Sequence, residues 1–157
     1  MTAMTPSSTI RSARWATPVH LTGSALLGFI GLAHLLGLHV FNGNDSPAEE
    51  VVNELSAQVS TSMFDGSRQV TVFGLNTGYS VGMGLLALLF GLLAIVAVRA
   101  APQLIARWSL FNAICLAAAG GMFWIACLYF PELAIVASGL ATLCFAAVLV
   151  AGNRRTA

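Results

Sequence analysis

Four long apolar stretches punctuate this chain, at about 21–41, 78–98, 108–130 and 133–151, and none holds an Asp, Glu or Arg. A helix needs about 20 apolar residues to cross a hydrocarbon core roughly 30 Å thick, and each stretch meets that length. A charge at the centre of such a helix costs about 2.5–3.5 kcal/mol on insertion scales, so uncharged centres are what a membrane selects. The pattern predicts an all-α, integral membrane four-helix bundle: a single membrane domain, 1–157, opening with a tail over 1–19. The first span has a rival reading as a cleaved signal peptide with Arg11 and Arg14 before it. Its length, and the lack of a small-x-small site around Val40-Phe41-Asn42-Gly43, favour an uncleaved anchor.

The polar intervals are as legible as the apolar ones. Pro102 breaks the second helix and can start the third. Pro131-Glu132 suits the first turn of the fourth, where proline loses no hydrogen bond and a carboxylate favours the helix dipole. The connection between the third and fourth spans is so short that they must be antiparallel neighbours. The one sizeable loop, 42–77, contains Ser46-Pro47-Ala48-Glu49, a capping box with proline at the first helical position. Val51, Val52, Leu55, Val59 and Met63 follow at helical spacing. They predict an extra amphipathic helix over 47–60, on the outer membrane surface or across the mouth of the bundle, as a lid or as a plain connector.

Composition narrows the class. The 157 residues are 57% hydrophobic and 8% charged, against about 25% charged in a soluble domain. No basic stripe for nucleic acid exists. The absence of lysine beside abundant Ala and Gly fits a GC-rich bacterial genome. Asp45, Glu49, Glu50, Glu54 and Asp65 gather in the long loop and Glu132 follows the third span; Arg11, Arg14, Arg99, Arg107, Arg154 and Arg155 lie in the tails and the middle turn, leaving Arg68 alone on the other side. Basic residues in short loops stay inside, so both termini and the turn from Arg99 to Arg107 are expected in the cytoplasm of a bacterial inner membrane. Trp15 and Trp108 then fall at the inner interface, and Phe41, Tyr79, Tyr129 and Phe130 at the outer one.

Lipid tails are as apolar as leucine, so such helices associate through small residues. The chain offers Ser24-x-x-x-Gly28 with Gly31, Ser80-x-x-x-Gly84 with Gly91, Ala117-x-x-x-Gly121 beside Gly120, and Ala134-x-x-x-Ser138. Counted at 1.5 Å per residue from the inner ends, His34, Gly84, Gly121 and Ser138 all fall about 20 Å up, in one layer. His34 is then the candidate centre of a ligand site, with the small residues leaving room around it. The plain alternative is a neutral His34 hydrogen-bonded to Ser138, a backbone carbonyl or water. Trp124 is read first as packing and second as a ligand platform. His20 and His39 are assigned to the interfaces.

Other chemistries find little footing. One chain cannot hold a haem between two histidines: His34 and His39 are about 140° apart around their helix, and the later spans have none. Haem through His34 would need a dimer. Cys115, Cys127 and Cys144 form no C-x-x-C and are too few for a closed zinc site; they read as small buried residues, with Cys115 and Cys144 near enough in depth to touch. No intramembrane carboxylate marks a proton path. Ser80 reads as the cap of the second span, Asn76 and Tyr79 as interface anchors, and Asn112 as an interhelical hydrogen-bonding residue. No catalytic, metal or cofactor set is expected.

The segments Gly31-Leu32-Ala33-His34-Leu35-Leu36 and Asn76-Thr77-Gly78-Tyr79-Ser80-Val81-Gly82-Met83-Gly84 resemble uncharacterised families of small four-span bacterial membrane proteins, loosely similar to the DoxX-like group. The resemblance implies a four-helix bundle in a bacterial inner membrane and transfers no catalytic residue. The sequence therefore leads to a non-enzymatic membrane component, held in the bilayer and working as a homo-oligomer or beside a membrane partner subunit. The alternative is a bundle that binds or transports a small apolar ligand (lipid, quinone or haem) around His34. An enzyme using His34 as acid/base ranks behind both.

Overall fold

The computed structural model describes residues 14–41, 45–62, 66 and 68–152. Expectations resting on Arg11, Asn42–Asn44, Met63, Asp65, Arg154 and Arg155 lie outside the described residues. The helices are α1 (Ala16–His39), α2 (Pro47–Gln58), α3 (Val72–Ala100), α4 (Leu110–Tyr129) and α5 (Glu132–Ala151), with a 3-10 turn at Pro102–Ile105. Four of them, α1 and α3 to α5, are long and apolar enough to cross a membrane. The chain divides into two compact units. One holds residues up to 30 and from 88 onward, the other residues 31–87.

The first unit gathers the N-terminal part of α1, the C-terminal part of α3, and all of α4 and α5. Leu27, Ala94, Cys115, Ala119, Ala141 and Phe145 form its main core, and Ala16, Val98, Ile105 and Val148 a second cluster toward the chain end of α5. The alanines and the cysteine are the reason the helices come close, since a small side chain lets two backbones approach. The tightest crossing is at Gly91. A Cβ there would stand 2.5 Å from the Gly28 nitrogen and 2.6 Å from the Ser24 carbonyl oxygen. The Ser24-x-x-x-Gly28 motif is thus one half of a backbone-to-backbone contact. Gly23 meets α5 similarly, its β-position 3.0 Å from Cys144 Cβ and 3.2 Å from the Phe145 ring.

α4 and α5 run antiparallel, as their short connection requires. The Trp108 N–H, ahead of α4, donates to the Leu149 carbonyl near the end of α5 at 3.1 Å. Ser109 caps α4, its hydroxyl accepting from the Asn112 N–H at 3.2 Å. Pro131 occupies the N-cap of α5 rather than its first turn, with Glu132 directly behind it. Trp108 adopts φ 57°, a left-handed conformation unusual for a bulky residue. Its ring lies 5.9 Å from the Arg107 guanidinium carbon.

The second unit holds the C-terminal end of α1, all of α2, a short hairpin and the first part of α3. The hairpin pairs Ser60–Thr61 with Val70–Thr71, antiparallel, with Ser60 opposite Thr71. No periodicity announces strands of two residues. α2 begins with the complete capping box: the Glu49 N–H donates to Ser46 Oγ at 3.4 Å, and the Ser46 N–H donates to the Glu49 carboxylate at 2.8 Å. Its half-buried residues are Asn53 and Ser56, whereas Val51, Val52, Leu55 and Val59 are exposed. The helix turns polar residues toward its own unit and apolar residues away. α3 starts at Val72, six residues ahead of the expected start at 78.

Two predictions follow from these contacts. Gly91→Ala should destabilise the protein by about 1–3 kcal/mol, the usual cost of overpacking, because rigid backbone blocks the new methyl. Gly28→Ala should be nearly neutral, since its nearest neighbours stand at 3.7 and 3.8 Å; thermal unfolding in detergent compares the two. For α2, hydrogen bonds from Ser46 hold the Glu49 carboxyl below the ordinary carboxylate range. The cap therefore stabilises α2 above that range and fails as pH falls through the lowered pKa of Glu49. Acid titration of α2 amide exchange should show this loss, and Glu49→Gln should abolish its pH dependence.

Candidate functional site

The polar residues inside the long helices fall into two groups, one in each unit. In the second unit, Ser80 and Gly84 lie one turn apart on α3 and present one face. Gly84 is filled by α1: a Cβ there would stand 2.8 Å from Leu35 Cγ and 3.1 Å from His34 Cδ2. One turn away, His34 Nε2 lies 2.9 Å from Ser80 Oγ, and His39 Nε2 lies 3.1 Å from the same oxygen. The two imidazole centroids are 6.3 Å apart with their planes at 72°. Two ring nitrogens thus converge on one hydroxyl.

Sequence reasoning separated the two histidines by their angle around α1, and that separation is what permits the arrangement. Residues on opposite flanks of one helix face can both lean inward to a side chain on the neighbour. The end of α1 also widens: the Phe41 N–H donates to the Leu36 carbonyl, five residues back, at 2.8 Å. Ser80 is not a helix cap. With α3 beginning at Val72 it sits two turns inside, so its hydroxyl faces α1 instead of its own helix end. A hydroxyl donates one proton, so one imidazole accepts from Ser80 while the other donates to it through its Nε2–H.

The other residues of the expected layer, Gly121, Trp124 and Ser138, belong to the first unit. Ser138 is buried in the first unit, where its hydroxyl donates to the Ala134 carbonyl at 2.6 Å. Gly121 has open space at its β-position, and Trp124 on the same helix is 68% exposed. The structure brings His34 and Gly84 together, and Ser80 and His39 join them. A cavity of about 600 Å³ does occur in the second unit, lined by Arg68, Thr71, Gly74, Leu75, Gly78 and Tyr79 among others, but His34 is not in its wall.

The first unit holds a histidine whose setting the sequence concealed. His20, near the start of α1, is fully buried among protein side chains. Its ring stacks on Phe111 at 5.6 Å and meets Phe145 edge-on at 4.9 Å. Ser24 Oγ lies 3.4 Å from Nδ1 and donates to the His20 carbonyl at 2.9 Å. Its Nε2 has no hydrogen-bond partner among the described residues. The aromatic partners at 111 and 145 are remote in sequence, so no local signal marks the site. Asn112 bonds not to another helix but to the Ala106 carbonyl in the preceding turn, at 3.3 Å. Cys115, Cys127 and Cys144 are free thiols.

No group of three His, Cys, Asp or Glu side chains converges among the described residues. Comparison of the chain with family models, with curated proteins and with solved structures finds no match.

The aromatic sandwich makes His20 a packing residue with a testable signature. His20→Phe keeps the ring and removes the unpartnered nitrogen, and should stay within about 1.5 kcal/mol of the native protein. His20→Ala empties the space between Phe111 and Phe145 and should cost about 3 kcal/mol. Unfolding in detergent, followed by tryptophan fluorescence, measures both.

Proposed function

We propose that this chain is a multi-pass protein of a bacterial inner membrane, with both termini and the 99–107 turn in the cytoplasm, acting non-enzymatically as a small packing or accessory component. The supporting observation is the outward surface of the long helices. Phe29 and Leu32 on α1, Leu86, Leu89, Leu93 and Val96 on α3, Leu128 on α4, and Leu140 and Leu143 on α5 are all exposed. In water each such side chain, about half exposed, forgoes part of the roughly 1.5–3 kcal/mol that full burial gives. Soluble monomers rarely present contiguous apolar patches of this kind. Lipid is the solvent that removes the difficulty, and the arginine distribution orients the helices within it.

The packing role rests on what occupies the helix crossings. Gly91 is closed by backbone, and Gly84 is closed by Leu35 and His34. Where the His34 layer needed room for a lipid, quinone or haem, side chains already fill the glycine position, so the ligand-bundle alternative has less support. Ala117 and Gly121 leave a small-residue strip exposed on α4, against which a second copy or a partner helix can approach closely. α2 fits the outer surface of the membrane, with Val51, Val52 and Leu55 turned away from its own unit toward lipid.

Cysteine accessibility tests the reading. In a chain whose native cysteines are replaced by alanine, Ser46→Cys should react with a membrane-impermeant maleimide in intact cells. Gln103→Cys should react only after permeabilisation. The reverse pattern would overturn the orientation, and extraction of the native chain as a monomer without detergent would overturn the membrane assignment altogether.

A further inference from the structure

Two imidazole nitrogens from one helix converge on the hydroxyl of half-buried Ser80, which holds both rings beside a common oxygen. The geometry points to a binding site for a divalent transition-metal ion of the Zn²⁺ or Cu²⁺ class, held by His34 Nε2 and His39 Nε2 with the Ser80 hydroxyl beside them and water in the open positions. The argument begins with distances. Ligand atoms bonded to one zinc ion at about 2.0–2.1 Å stand roughly 3–3.4 Å from each other. The separations of Ser80 Oγ from the two Nε2 atoms, 2.9 and 3.1 Å, match two edges of such a coordination face. The third edge joins the two nitrogens. The ring centroids stand 6.3 Å apart, so holding one ion requires the His39 ring to turn toward His34 about Ser80, and His39 is exposed at the end of α1.

Donor chemistry selects the ion. Imidazole nitrogen suits zinc, copper and nickel, whereas Mg²⁺ and Ca²⁺ prefer sets of oxygens. The protonation balance is simple. Both histidines bind as neutral rings, so the imidazole that donated to Ser80 moves its proton from Nε2 to Nδ1, and no net charge is shed. Two nitrogens and a hydroxyl make an open, exchangeable site rather than a closed structural one, reached from solvent on the His39 side. The site lies wholly within the 31–87 unit and does not depend on which way the protein crosses a membrane.

The test uses the full chain in detergent micelles. Titration with Cu²⁺ followed by electron paramagnetic resonance, and with Zn²⁺ followed by calorimetry, should give one ion per chain and hyperfine splitting from two imidazole nitrogens. His39→Ala, at an exposed position that leaves the core intact, should reduce the splitting to one nitrogen and weaken binding by about tenfold or more. Ser80→Ala should keep both nitrogens. Mg²⁺ should not compete. Absence of saturable Cu²⁺ or Zn²⁺ binding would overturn the proposal, and so would binding that His39→Ala leaves unchanged. A cysteine-sulfur signature in the spectrum would likewise place the ion elsewhere and overturn it.

Discussion

Backbone meets backbone where Gly91 crosses Ser24 and Gly28, and the first unit is arranged around that contact. In a lipid environment apolar side chains gain nothing by leaving solvent, so helices hold together through dispersion and close approach. Each pair of touching atoms contributes only about 0.1–0.2 kcal/mol, and the sum depends on having no gap. The absence of a side chain at Gly91 sets the spacing of α1 and α3. The small residues Ala94, Cys115, Ala119 and Ala141 let the other segments match it. The large residues, by contrast, sit mainly on the outside. This inverts the composition of a soluble core, where Leu, Ile and Phe are inside.

Polar residues survive in these helices by bonding to what is nearest. Ser138 and Thr142 return their protons to carbonyls of their own helix. Ser24 does the same to His20. These bonds stabilise little but spare the cost of an unpaired hydroxyl in an apolar setting. Ser80 is the departure from this habit, because its hydroxyl addresses another helix. The same serine type at the same kind of position therefore plays two parts, decided by whether a histidine stands opposite.

The four long helices were legible because their signal is additive: some twenty apolar residues in a row outweigh any local ambiguity. The start of α3 was not legible, because Gly74, Asn76, Thr77 and Gly78 read as loop residues by propensity while the helix runs through them. That early start moved Ser80 from a helix end to a helix interior, and the histidine pair was missed with it. The small-residue motifs at Ser24–Gly28 and Ser80–Gly84 were visible in the sequence and are real crossings. Ala117–Gly121 has the same spelling, yet the β-position of Gly121 meets nothing within 4 Å among the described residues. Spacing names a face of a helix, and only the neighbour decides whether the face is used. The burial of His20 lay beyond reach for the same reason, since Phe111 and Phe145 reach it from other helices.

The link between α4 and α5 has a consequence for how the protein is made. Only Phe130 and Pro131 separate the two helices. So little slack prevents either helix from being threaded and released while the other waits, and the Trp108–Leu149 hydrogen bond ties their far ends. A bilayer would receive the pair as one hairpin. A substitution that makes α5 too polar to enter would strand α4 as well, and half the long helices would be lost to a single codon.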